Sequence, residues 1–329
     1  MFKKIFLILV ILALAVSSFG CGGKEAKLPK GTDVIVKIPQ GTPTSVIAQM
    51  LEDKEIISSA RKFSAEMRLK GLENSLQAGE YELKTGMDEK ELIRKLTTGE
   101  VRYITVVIPE GFNVRQIAEL LDEKDLIKKE DFLNAAKDYT PYEYMKTDNA
   151  DIEYKSEGFL FPATYNILPG TSAESMLKIL TEEFDNRLTE EWKGKLKEKD
   201  ITIREFVTLS SLVEKEAAYD EDRKYIAKAF LERLKIHMPL QSCATIQYIL
   251  GYAKPELTIA DTRLPSPYNT YLHYGLPPGP IANPGMLAMQ SVLEPSEETY
   301  LYFVVKKDGK HIFSKTYNEH LAAIERASQ

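Results

Sequence analysis

Two stretches of the chain, 70 residues apart, carry the same pattern of apolar and polar positions. In the first, Ile38-Pro39-Gln40-Gly41 leads into IAQMLEDKEII (Ile47–Ile57). In the second, Ile108-Pro109-Glu110-Gly111 leads into IAELLDEKDLI (Ile117–Ile127). Each copy predicts a β-branched strand, a Pro/Gly turn and an amphipathic helix. A fainter echo pairs GEYELKTGMDEKELIRKL (Gly79–Leu96) with ATYNILPGTSAESMLKIL (Ala163–Leu180), each a short strand, a glycine turn, a capping residue and a helix. Two copies point to paired small α+β modules, since a solenoid needs three or more.

Beyond the repeats the pattern changes. Charges surrounding the lone Trp192 between Glu182 and Asp200 predict a solvent-facing helical connection, and Ile203–Lys235 reads as helix throughout. Six of the 16 prolines fall between Pro265 and Pro284, interleaved with Tyr268, Tyr271 and Tyr274, which predicts a rigid aromatic loop suited either to lining a cleft or to packing as structure. Leu301–Val305 and His311–Ser314 read as a closing hairpin, and Tyr317–Ala327 as a terminal helix.

The N-terminus predicts export. Lys3 and Lys4, the apolar run Ile5–Val16 and the small residues before Cys21 form the charged, hydrophobic and small-residue regions of a signal. The run is short for a span of about 20 residues, which favours cleavage and lipid attachment at Cys21 over an uncleaved single-pass anchor. Ser18 departs from the Leu usual before a lipidated Cys and keeps the anchor open. Both alternatives put the body on the extracytoplasmic face of the membrane. The expected domains are an anchor over 1–21, a tether over 22–32, a first module over 33–100 and a larger domain over 101–329 that contains the second repeat copy within 101–180.

Composition narrows the chemistry. A 329-residue chain with 43% hydrophobic and 28% charged residues has the make-up of a globular protein, and a net charge of −6 argues against nucleic-acid binding. The four histidines are scattered, no metal-ligand spacing or phosphate loop occurs, and no cofactor is expected. Only Cys21 and Cys243 are present, so no disulfide framework is expected; Cys243 reads as a small buried apolar residue.

The strongest candidate for chemistry is Glu214 in FVTLSSLVEKEAA (Phe206–Ala218). On a helical wheel it borders the Phe206, Leu209 and Val213 stripe and is bracketed by Ser210, Ser211, Ala217 and Ala218, which leave room for a substrate. Val207 and Val213 beside it suggest an acid with a raised pKa. Glu216 falls roughly 160° away on the wheel, so the two carboxylates cannot serve one bond from the same side. Taken alone, VEKEA also fits ordinary helix surface.

Four blocks, EGFLFPATY (Glu157–Tyr165), LVEKEA (Leu212–Ala217), FLERLKIHMPLQSCATIQY (Phe230–Tyr248) and SPYNTY with GLPPGPIANPG (Ser266–Gly285), resemble the YceG-like, or MltG, family of endolytic murein transglycosylases in the family's order. The resemblance implies a membrane-attached enzyme that cuts nascent peptidoglycan strands between N-acetylmuramic acid and N-acetylglucosamine, leaving a 1,6-anhydro end. It further implies a LysM-like first module and a mixed α+β catalytic domain. The implied partners are glycan strands and the cytoplasmic membrane, with the peptidoglycan synthases (penicillin-binding proteins) as candidates. Glu214 matches the catalytic acid, which would protonate the bridging oxygen and then take the proton of the sugar's own C6 hydroxyl. Gln241, Thr245, Tyr268, Asn269 and Glu157 are then candidates for contacting the sugar. Cys243 stands where the family commonly has Asp, which puts in doubt a second acid at that position. Two other readings stay open: a plain muramidase with Glu157 or Asp261 as second acid, and a non-catalytic envelope lipoprotein that binds glycan.

Overall fold

The computed structural model describes residues 28–328, so Cys21 and the signal lie outside the described residues. These divide into two compact units, the first ending at Arg102 and the second starting at Tyr103.

In the first unit, β1 (Asp33–Ile38) is followed by α1 (Thr44–Asp53), α2 (Ala60–Leu69), β2 (Gly79–Lys84) and α3 (Glu89–Thr98). The strands pair antiparallel with Val36 opposite Tyr81. Period-2 alternation turns Val36, Ile38, Tyr81 and Leu83 inward. There they meet Ile47, Leu51, Phe63, Met67, Leu92 and Leu96 from the three helices, all buried. Asp88 caps α3 by accepting from the N–H groups of Lys90 and Glu91, and Gly99 closes it in the left-handed conformation.

The second unit begins with the same element order: β3 (Ile104–Val107), α4 (Val114–Glu123), α5 (Lys129–Asp138), β4 (Thr164–Ile167) and α6 (Ala173–Arg187). Again the strands pair antiparallel, Val106 facing Tyr165. The two echoes in the sequence are therefore the front and back of one β-α-α-β-α pattern. The copies differ between the second helix and second strand, where residues 139–163 stand in place of the short 70–78 connection and carry the EGFLFP block.

The rest of the second unit is mostly helical: α7 (Glu190–Glu198), α8 (Ile203–Glu216), α9 (Asp220–Lys235), α10 (Cys243–Leu250), α11 (Met286–Leu293), a hairpin of β5 (Tyr302–Val305) and β6 (His311–Ser314), and α12 (Tyr317–Ser328). Two expectations change. The connection around Trp192 is helical and mostly exposed, but Trp192 itself is half-buried and packs edge-on against Phe206, ring centroids 6.1 Å apart. Ile203–Lys235 is two helices, since Ala217 turns extended and a fresh start at Asp220 places Asp220, Glu221 and Asp222 in the first turn, where acidic side chains complement the helix dipole. Among the described residues no helix is long and apolar enough to cross a membrane.

Candidate active site

Helix α8 is fixed at one end by a capping box between Thr202 and Glu205 and along its length by burial. Phe206, Val207, Leu209, Leu212 and Val213 are each at most 3% exposed. Burial of each contributes roughly 1.5–3 kcal/mol. Ser210 and Ser211 are buried too, and their hydroxyls donate to the Phe206 and Thr208 carbonyls of the same helix. Such a rigid stem delivers Glu214 to the last turn, where the chain corners into α9.

That corner defines the surroundings of Glu214. Arg223, one turn into α9, donates from Nη1 to Glu214 Oε1 at 3.1 Å, and its Nε is held by Asp220 Oδ1 at 3.1 Å. Only 9% of the Arg223 side chain and 6% of the Glu214 side chain are exposed. The other carboxylate oxygen, Oε2, accepts from the backbone N–H of Gly285 at 3.0 Å, at the end of the IANPG loop. Both oxygens of the Glu214 carboxylate thus have polar partners. It meets a guanidinium and an amide N–H, charge-assisted partners that fix its orientation.

A second carboxyl stands beside it. Glu110 sits in the turn between β3 and α4, at the position Gln40 holds in the first repeat copy. Gly111 follows in the left-handed conformation (φ 76°), and a β-carbon there would lie 3.5 Å from Glu214 Cγ. The turn is bound to the IANPG loop, Gly111 N–H donating to the Asn283 carbonyl and Asn283 N–H to the Phe112 carbonyl, both at 2.9 Å. Loss of hydration, then the charge of Glu214, raises the Glu110 pKa above the ordinary carboxylate value; Arg223 opposes this and Asp220 adds to it.

Most of the polar residues singled out in the sequence lie elsewhere. Thr245 is fully buried, its hydroxyl donating to the Ser242 carbonyl and bonded to Thr270 Oγ1. Asn269, also buried, spends its amide on the Thr262 and Leu264 carbonyls. Tyr268 is 7% exposed, its ring against Tyr248. All three are spent on internal contacts, and none is in the wall of the two hollows that flank α8. Glu157 is 2% exposed and accepts from Val114 N–H, Asn283 Nδ2 and Tyr248 OH. Burial pushes it up to about 8. Its reach to Glu214 is indirect, through Asn283 and the IANPG loop. Asp261 is held by Lys254 and the Thr258 N–H, both at 2.6 Å, with neither Glu214 nor Glu110 among its partners.

Two hollows flank the end of α8. One of about 220 Å³, on the Lys215 side, is walled by Asn113, Gln116, Gln247, Tyr248 and Tyr252. The other, about 410 Å³, lies on the Glu216 side with Gln241, Arg233, Tyr271 and Cys243 in its wall. Gln241 is thus exposed to a hollow, though not beside Glu214. Cys243 is exposed, contrary to expectation, because it opens α10 facing outward; its sulfur lies 3.1 Å from Tyr271 OH. Glu216 accepts from Ser242 Oγ and joins the start of α10. A larger hollow of about 520 Å³ lies wholly in the first unit, lined in part by Pro39, Thr42, Ser64, Arg68 and Asn74, and has no part in the Glu214 geometry.

A model of the YceG-like family matches residues 36–326. The chain belongs to this family. It is 38% identical over 308 residues to the endolytic murein transglycosylase of Bacillus subtilis, covering 90% of this chain and 85% of that one. An endolytic murein transglycosylase of Streptococcus pneumoniae is 33% identical over 315 residues, covering 87% of this chain and 57% of that relative. The crystal structure of a YceG-like protein from Listeria monocytogenes superposes with a TM-score of 0.61 at 36% identity, over 89% of this chain and 99% of that one. Within this YceG-like chain, helical spacing singles out Glu214 but not its neighbours Arg223, Gly285 and Glu110. Glu110 had a weak signal: it is one of two positions, with Glu119, at which the second repeat copy has Glu where the first has Gln.

Proposed function

We propose that this protein is an endolytic murein transglycosylase that cuts peptidoglycan glycan strands between N-acetylmuramic acid and N-acetylglucosamine, leaving 1,6-anhydro ends and so ending strand growth. The observation that carries the proposal is Glu214: a nearly enclosed carboxylate held by Arg223 and the Gly285 N–H, in a chain of the YceG-like family. The leaving oxygen must gain a proton as the glycosidic bond breaks, and the C6 hydroxyl must lose one as the anhydro ring closes. We place Glu214 at that proton exchange. Because the nucleophile belongs to the sugar that is cut, its effective concentration is high, worth roughly 7–11 kcal/mol of barrier in well-oriented systems, and no activated water is needed.

The first unit is LysM-like in this proposal, its hollow near Arg68 and Asn74 positioning the strand. Cys21 carries lipid and anchors the protein at the extracytoplasmic face of the membrane, near the synthases that make its substrate. The test is the mass of the products from purified protein and uncrosslinked glycan. Fragments ending in anhydro sugar support the proposal. Reducing ends would make it a muramidase, and intact glycan with retained binding would make it a non-catalytic glycan-binding protein.

A further inference from the structure

We propose that Glu110 is the catalytic acid of the cleavage and Glu214 its base, so that the two proton transfers assigned to Glu214 in the sequence are divided between two carboxyls. This rests on the transglycosylase reading above.

The geometry begins at Gly285. Its N–H donates to Glu214 Oε2 at 3.0 Å, and a β-carbon built on it would fall inside the Glu110 carboxyl group. Both acids therefore converge on one glycine. Chaining those distances through the glycine's own bond lengths keeps Glu110 Oε1 within about 7 Å of Glu214 Oε2. Retaining and inverting glycosidases separate their paired carboxyls by about 5–9.5 Å. Only Gly allows this approach, since any side chain at 285 would displace Glu110.

The two environments differ. Both Glu214 oxygens are engaged by donors that suit an anion, Arg223 Nη1 and the Gly285 N–H. Among the described residues no donor reaches the Glu110 carboxyl, and Glu110 is exposed and open to a ligand. The charged groups around it are Glu214 and, from α9, Arg223 and Asp220. Lys215, also on α8, turns its ammonium to the Gly111 carbonyl at 3.2 Å. Their balance, with lost hydration, favours the protonated form of Glu110. One carboxyl bonded on both oxygens beside another with no donor is an arrangement that divides base from acid.

The step balances. The Glu110 carboxylic acid gives its proton to the bridging oxygen as the C1–O bond of the muramyl residue breaks. The C6 oxygen of that residue bonds to C1 and passes its proton to the Glu214 carboxylate. The products are the anhydro sugar, the free 4-hydroxyl, Glu110 ionised and Glu214 protonated. Transfer of one proton from Glu214 to Glu110 restores the starting state. Gln40, at the matching place in the first copy, cannot perform the first transfer.

The experiment uses the full-length protein and two substrates: uncrosslinked glycan, and a short strand ending in an aryl muramyl glycoside whose phenolate leaves without protonation. Glu110→Gln should cut kcat/KM on glycan by about 10²–10⁴ and remove the decline of activity at high pH, while staying within about threefold of wild type on the aryl substrate. Glu214→Gln should fail on both. Gly285→Ala, whose φ of −80° and ψ of 173° suit Ala, should behave as Glu110→Gln because the nearest atoms its β-carbon would meet are those of the Glu110 carboxyl. Near wild-type cleavage of glycan by Glu110→Gln, or equal losses on both substrates, would overturn the proposal. Full activity of Glu214→Gln would instead defeat the reading of Glu214 itself.

Discussion

Replacing Arg223 with Met removes the charge opposite Glu214 while keeping much of the side-chain volume. Glu214 is 6% exposed in its side chain and has two partners, Arg223 at 3.1 Å and the Gly285 N–H at 3.0 Å. Stripping one partner from a buried pair leaves an uncompensated charge and costs about 3–5 kcal/mol, and the surviving N–H places this case near 3. For a domain of this size that lowers Tm by roughly 6–12 °C. Glu214→Gln in the Arg223→Met background removes the stranded charge and should recover most of the loss. A double-mutant cycle by urea unfolding should then give a coupling energy of about 2 kcal/mol. Additive effects, with coupling under about 0.5 kcal/mol, would refute the reading of Arg223 and Glu214 as a buried ion pair at the α8–α9 corner.

Other expectations follow from the same structure. Glu157 keeps its proton in the folded state up to about pH 8 but loses it near 4.5 once unfolded, so its contribution to stability is full below about 4.5 and is lost as pH rises to 8. Glu157→Gln should flatten that part of the pH dependence, which cannot exceed about 1.4 kcal/mol per pH unit for one proton; urea midpoints from pH 5 to 8 that fall equally in both proteins would contradict this. Ser64→Trp, filling the hollow of the first unit, should slow cleavage of long strands several-fold and spare short ones if that unit positions glycan; equal rates on both lengths would argue against it. Mass spectrometry of protein extracted from membranes should find Cys21 acylated at a new N-terminus, and an intact Met1 would replace lipid with a signal anchor.

The sequence made some of this legible, for physical reasons. Glu214 stood out because helical periodicity places it relative to the buried stripe from Phe206 to Val213, a relation that local spacing fully determines. The hairpin of β5 and β6 and the terminal helix were equally local. The break after Glu216 was not, since Ala217 and Ala218 are good helix formers; what holds the corner is tertiary, Arg223 on Glu214 and Glu216 on Ser242. The burial of Thr245 and Asn269 was not legible, because short polar side chains readily bond to nearby backbone, and a motif shows their presence but not their direction. Glu110 and Gly285 come from segments far from Glu214 in the chain, and Arg223, nine residues on, reaches it across a helix break, so no helical spacing rule could join them to Glu214.

The central claim is that Glu214 exchanges a proton with the glycan. The most direct measurement compares the release of anhydro-ended fragments from uncrosslinked glycan by Glu214→Gln and Glu216→Gln, each with unchanged circular dichroism. Glu214→Gln should lose at least the 10²–10⁴ that general acid–base catalysis supplies. Glu216→Gln should keep most activity, because Glu216 bonds the start of α10 and an amide oxygen can still accept from Ser242. Anhydro-ended fragments appearing at near wild-type rate from Glu214→Gln would contradict the account.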